Sequence, residues 1–170
     1  DIYWLEGRPH EGGRNALVRR APDGSIADVT PPEINVRSRA HEYGGGAYLA
    51  VHGTLYCANF SDQRVYEIRG DDVRPVTAPG PWCYADFESD ARRGRLICVR
   101  EDHTQERQEP VNALVSLAID AADAGRGRRA HDAGEVLVSG ADFYSTPRLS
   151  PGGSKLAWLS WNHPSMPWDG

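Results

Sequence analysis

Three short runs of this 170-residue chain gather the residues able to do chemistry. The first is His41-Glu42-Tyr43, which leads directly into Gly44-Gly45-Gly46. Glycines let backbone come close to a ligand, and an acidic side chain ahead of them can meet the amino terminus of a peptide. The competing reading is a loop that only enters an inner strand, although loop-borne polar clusters carry function more often than core positions do. His41-Glu42 is not a zinc-protease motif, because position 45 is glycine and no histidine follows four residues after His41. The second run, Arg100-Glu101-Asp102-His103, closes an apolar stretch and precedes a polar segment from Thr104 to Pro110. Its charges form a rim that is either solvated and mutually paired or turned toward substrate. Glu101 and Asp102 suggest a hydrolytic carboxylate pair, but adjacent residues of a strand point to opposite faces. The third run is Trp161-Asn162-His163-Pro164 with Met166-Pro167-Trp168. This aromatic, proline-rich loop either packs on a neighbouring element or gates a substrate-facing surface.

Other chemistries are poorly supported. The nearest approach to a nucleophile elbow, Gly152-Gly153-Ser154-Lys155-Leu156, lacks the final glycine of Gly-x-Ser-x-Gly and reads as a hairpin turn, so Ser154 is not assigned as a nucleophile and no catalytic residue is assigned at all. Gly125-Arg126-Gly127-Arg128-Arg129-Ala130 mimics a dinucleotide fingerprint without the strand and helix that should frame it. Cys57, Cys83 and Cys98 show no Cys-x-x-Cys spacing and read as buried, reduced residues, which points to no metal, no cofactor and a cytoplasmic setting. Asn59-Phe60-Ser61 fits a glycosylation acceptor, a motif that often arises by chance. A net charge of −5, with arginines dispersed among carboxylates, argues against nucleic acid. No segment approaches the roughly 20 apolar residues of a membrane span, and the start at Asp1-Ile2-Tyr3-Trp4 looks cut rather than initiated.

The elements that must position these runs come from an internal repeat. Asp1 to Glu6, Thr54 to Asn59, Arg95 to Arg100 and Lys155 to Ser160 each begin with a polar residue, then Ile or Leu, then mostly apolar residues. Such runs read as strands buried on both faces. The anchors Ile2, Leu55, Leu96 and Leu156 lie 53, 41 and 60 positions apart, which suits four-stranded blades with variable loops. Asn15-Ala16-Leu17-Val18 recurs as Asn112-Ala113-Leu114-Val115, with Arg64 to Ile68 in the equivalent place between them. Fourth strands are predicted at Ser25 to Thr30, Val73 to Thr77 and Glu135 to Ser139, and first strands at Gly46 to Val51, Tyr84 to Glu88 and Ser145 to Leu149. Pro22-Asp23-Gly24, Arg93-Gly94 and Pro151-Gly152-Gly153 supply tight turns. Pro and Gly interrupt nearly every helical window, leaving at most one turn at Ala121 to Ala124. The predicted fold is all-β: a partial β-propeller of about three blades of four-stranded antiparallel sheets, open rather than closed. Strands two to four of a first blade occupy about 1–32, a second blade about 44–79, a third about 83–140, and the start of a fourth about 144–170.

An ordered set of motifs goes beyond a generic propeller. It comprises Tyr3 to Pro9 with Gly12 to Asn15, Val36-Arg37 with His41 to Gly46, Asn59 to Arg64, Cys98 to His103, Ser139 to Tyr144, Pro147 to Gly153, and Trp161 to Pro164 with Met166 to Gly170. Together they resemble the N-terminal propeller of bacterial serine peptidases of the prolyl oligopeptidase family, the acylaminoacyl-peptidase and dipeptidyl-aminopeptidase branch. The resemblance implies an α/β-hydrolase domain that follows the propeller and carries serine, aspartate and histidine, while the propeller restricts access to short peptides. This chain is expected to stop before that domain. Its expected partners are therefore the C-terminal hydrolase domain of the parent chain and a short peptide substrate. The rival reading is a non-enzymatic propeller that binds proteins or peptides, since fold alone does not imply function. A metal-dependent propeller hydrolase ranks last, for want of ligand spacing. Open sheet edges pair with other chains, so the 170-residue segment alone is expected to associate, swap strands or aggregate. Light scattering that showed a stable monomer with cooperative unfolding would count against an incomplete ring.

Overall fold

The computed structural model describes residues 1–105, 108–119 and 133–169. The single turn expected at Ala121 to Ala124 and the fingerprint mimic at Gly125 to Ala130 lie outside the described residues, as does part of the polar segment before Pro110.

Strands follow one another as antiparallel neighbours. The first sheet holds β1 (Ile2–Arg8), β2 (Arg14–Arg20) and β3 (Ile26–Asp28). The second holds β4 (Tyr48–Val51), β5 (Thr54–Ala58), β6 (Val65–Arg69) and β7 (Asp72–Pro75). The third holds β8 (Trp82–Asp90), β9 (Arg95–Asp102), β10 (Val111–Ala118) and β11 (Glu135–Ser139). A final pair joins β12 (Phe143–Leu149) to β13 (Leu156–Trp161). Among the described residues there is no α-helix, and no sheet closes on itself. This is the open, partial propeller that the repeat predicts.

The turns have local causes. His52-Gly53 links β4 to β5 with φ of 48° and 76°, the pair of positive values that a two-residue hairpin needs to match strand twist. Gly94 is left-handed at φ 59° and ends the short 3-10 turn Ala91–Arg93 before β9.

Three apolar layers lie between successive sheets. Strand alternation divides β5 between two of them: Leu55 and Cys57 meet Leu17, Ile34 and Ile68 of one layer, while Tyr56 and Ala58 join Val65, Leu96 and Val115 in the next. In β9, Leu96 and Cys98 face the second sheet, and Val99 packs with Leu114 and Tyr144 toward β12. The expectation of strands buried on both faces therefore holds for β5 and β9. It fails for β1 and β13, where Ile2 and Leu159 are well exposed, because a sheet covers only one of their faces among the described residues. All three cysteines are buried and unbridged, and burial pushes the Cys57 thiol up to about 12. Buried Glu67 is held in an ion pair by Arg74 and by Arg69 at 2.6 Å. No helix of the described residues is long and apolar enough to cross a membrane.

Asn59 proves to be an internal clasp rather than a sugar acceptor. It is only 4% exposed, its Oδ1 accepts the Asn35 N–H at 3.1 Å, and its Nδ2 donates to Ser61 Oγ at 2.9 Å. Asn59→Ala leaves the Asn35 N–H without its partner, and urea denaturation is expected to show a loss of about 1–3 kcal/mol.

Candidate functional site

The His41 loop is built around left-handed backbone. His41 and Glu42 have φ of 56° and 62°, values that non-glycine residues hold at a cost of the order of 1–3 kcal/mol each. The loop closes on itself through Tyr43 N–H to His41 O at 2.7 Å and Gly44 N–H to Ala40 O at 2.8 Å. An external anchor completes it, since Glu101 Oε2 accepts the His41 N–H at 2.5 Å. Gly45 and Gly46 serve close packing against β8. A side chain at Gly45 would come within 2.9 Å of Ala85 Cβ, one at Gly46 within 3.0 Å of Asp86 Oδ1, and the Gly46 N–H donates to that oxygen at 2.6 Å.

Alternation along β9 sorts the charged run into two pairs. Arg100 and Asp102 share one face: the guanidinium is 3.4 Å from the Asp102 carboxylate and reaches the Ala133 carbonyl at 3.3 Å. Burial works to raise the Asp102 carboxyl, but hydrogen bonds from the Thr104 hydroxyl and N–H outweigh it and hold it below the usual range. Glu101 and His103 share the opposite face, toward the His41 loop. The Glu101 side chain is 4% exposed, and its Oε1 lies 2.6 Å from His103 Nε2. Directly across the ladder stands Cys83 of β8, paired in register with Glu101. The ligand atoms of Cys83, Glu101 and His103 lie within 4.8 Å of one another. Burial, helped by the Glu101 charge, pushes the Cys83 thiol up to about 11 against the opposing pull of Arg39. Beside this trio opens a cavity of about 560 Å³, to which Arg39, Glu42, Asp62 and Trp82 also contribute.

On its other side, His41 joins an aromatic cluster. Phe143 and Trp161 stack with centroids 5.4 Å apart, and His41 meets their edges at 5.4 and 6.1 Å. Tyr43 lies 5.7 Å from His41, and His163 lies 4.9 Å from Phe143. Burial lowers the His41 imidazole below its ordinary value, opposed by the Glu101 and Asp86 carboxylates. Asn112 is close enough to favour the charged form, yet neither His41 Nε2 nor Asn112 Oδ1 has a well-formed hydrogen bond.

The structure thus joins His41, Tyr43, Glu101, His103, Trp161 and His163 in one connected group, with Glu42 at the cavity. Arg100 and Asp102 face away from it, and Trp168 is 74% exposed outside it. Cys83, Asp86, Asn112 and Phe143 belong to the neighbourhood but escaped the sequence reading. Their placement depends on strand register, which spacing alone does not reveal. No serine or threonine hydroxyl among the described residues is hydrogen-bonded to a histidine, so no serine–histidine nucleophile pair forms within them. Ser154 sits exposed between β12 and β13, as a turn residue should.

No family model matches this chain, and no curated protein does. Solved structures do. A puromycin-hydrolysing peptidase of Mycobacterium tuberculosis matches 98% of the chain at 35% identity with a TM-score of 0.82. A puromycin hydrolase matches 98% at 33% identity with a TM-score of 0.84. A serine-to-alanine mutant of puromycin hydrolase, complexed with PGG, also matches 98% at 33% identity, with a TM-score of 0.85. The chain is similar to the N-terminal region of these prolyl oligopeptidase-family peptidases. It spans 27% of the length of each of the three.

The fold favours the neutral form of His41, so this contribution to stability is complete above the ordinary histidine value of 6.5 and declines as pH falls through it toward the lowered value. Denaturation midpoints measured at about pH 7.5 and about pH 5.5 are expected to separate more in the parent protein than in His41→Gln. Equal separation in the two would show that His41 titrates as it does when unfolded.

Proposed function

We propose that this chain is the propeller portion of a serine peptidase that hydrolyses short peptides, releasing aminoacyl, acylaminoacyl or dipeptidyl units. Its role is to restrict access and to contact substrate, with the nucleophile supplied by a C-terminal α/β-hydrolase domain. The observation that carries this reading is the match of 98% of the chain, at 33–35% identity, to peptidases described as hydrolysing puromycin. Puromycin is an aminoacyl amide, so cleaving it is the same chemistry as releasing an amino-terminal residue.

The geometry supports a contact role. Glu42 is exposed at the cavity with Arg39 and Asp62 nearby, an array of both signs suited to the charged ends of a short peptide. The aromatic cluster on the other side of His41 offers a separate, flat apolar wall for a side chain. A reducing, cytoplasmic compartment fits three buried cysteines with no bridge.

Produced at the full length of its natural chain, the protein is expected to cleave aminoacyl and acylaminoacyl chromogenic substrates and to be silenced by a serine-directed inhibitor. The 170-residue segment alone is expected to turn over none of them. Glu42→Gln should raise KM by up to about fivefold with little change in kcat, the scale of one exposed ion pair. Peptide binding without turnover at full length would instead identify a binding module.

A further inference from the structure

We propose that Cys83, Glu101 and His103 form a binding site for a zinc-class divalent cation, with a fourth coordination position open to the adjoining cavity. The trio arises from the sheet itself. Cys83 stands opposite Glu101 in the β8–β9 ladder, and His103 follows Glu101 by two residues on the same face. Their ligand atoms already lie within 4.8 Å of one another. A tetrahedral zinc with thiolate, imidazole and carboxylate ligands has ligand-to-ligand edges of roughly 3.3–3.7 Å. Side-chain adjustments of about 1 Å therefore suffice: Cys83 moves inward, and the 2.6 Å contact between His103 and Glu101 opens to admit the ion.

Donor type selects the metal class. One soft thiolate, one imidazole and one carboxylate suit zinc, whereas magnesium and calcium prefer all-oxygen sets. The surroundings are prepared as well. The His41 N–H holds Glu101 Oε2 at 2.5 Å and leaves Oε1 for the metal, the outer-shell orientation that metal carboxylates ordinarily have. Of the charged groups at the cavity, Glu42 and Asp62 favour a cation, and Arg39 is held over the Phe60 ring at 4.5 Å. Three protein ligands beside an open cavity leave room for water or a ligand group in the fourth position. Because Glu101 is also the anchor of the His41 loop, occupancy would fix that loop more firmly.

The full-length protein, stripped of metal by chelation, would be titrated with Zn²⁺ alone against a chromogenic chelator and then loaded with Co²⁺ for absorption spectroscopy. The expected result is tight zinc binding at this site and a thiolate-to-cobalt charge-transfer band. Cys83→Ser should abolish the band. His103→Ala, a change at a half-exposed side chain that leaves the core intact, should weaken zinc by about a hundredfold or more. His10→Ala, at an exposed histidine of the first sheet's turn, should change nothing. Zinc affinity that is unaltered in both ligand variants, or a cobalt complex without a thiolate band, would overturn the proposal.

Discussion

A strand sandwiched between two sheets takes a polar group only where a partner meets it, as at Glu67, and this constraint places everything else. Cys98 and Val99 of β9 are adjacent in sequence yet each is wholly buried, one in the layer toward the second sheet and one in the layer toward β12. Chemistry can therefore surface only where the strand runs out. In β9 it surfaces abruptly: four apolar positions end at Arg100, and within the next three residues come a buried carboxylate, a half-buried one and an exposed histidine. The same logic puts the His41 loop at the entry to β4 and the aromatic group around the start of β12 and the end of β13.

Glu101 is costly where it stands, because a buried carboxylate must be met by donors. It meets two of them, the N–H of His41 from a loop sixty residues away in sequence and the ring of His103 two residues further along the chain. The return is a loop held in left-handed conformation at two non-glycine residues, an arrangement that lasts only when its surroundings over-determine it. That loop then carries His41 against Phe143 and Trp161 and sets Glu42 at the cavity. One buried charge thus links the third sheet, the second sheet's entry loop and the final strand pair.

The strands were legible in the sequence because they obey strong local rules. Polar-Ile/Leu-apolar runs marked β1, β5, β9 and β13, and the Asn-Ala-Leu-Val recurrence marked β2 and β10. Half of the candidate site was legible too, since His41, Glu101 and Trp161 stand out as polar or aromatic residues at strand ends. What escaped was everything set by register. Cys83 reads as one more small apolar residue until the ladder sets it opposite Glu101. The glycines at 45 and 46 look like room for a ligand until β8 packs against them. Asn59 looks like a surface acceptor until loop packing encloses it. In each case a partner distant in the chain decides what the local pattern does.

Asp86 shows how such a partner can unify the repeat itself. It sits at a bulge in β8 with φ 59°, and Thr146 occupies the matching bulge in β12 with φ 46°. Its two carboxylate oxygens accept one N–H from each side, Gly46 at 2.6 Å and Thr146 at 3.0 Å. The bulge in β12 swings the Thr146 N–H out of the ladder, and that in β8 turns the Asp86 N–H to the Gly46 carbonyl at 2.8 Å. A carboxylate is the side chain best suited to bridge two such donors, being an acceptor at both oxygens. Glycine on one side and a bulged threonine on the other let the backbone come within reach. Asp86 and Thr146 thus stand at matching bulges of successive repeats yet differ in type, because one accepts and the other donates in the same bridge, which is why the repeat is clear in its strands and obscure at its bulges.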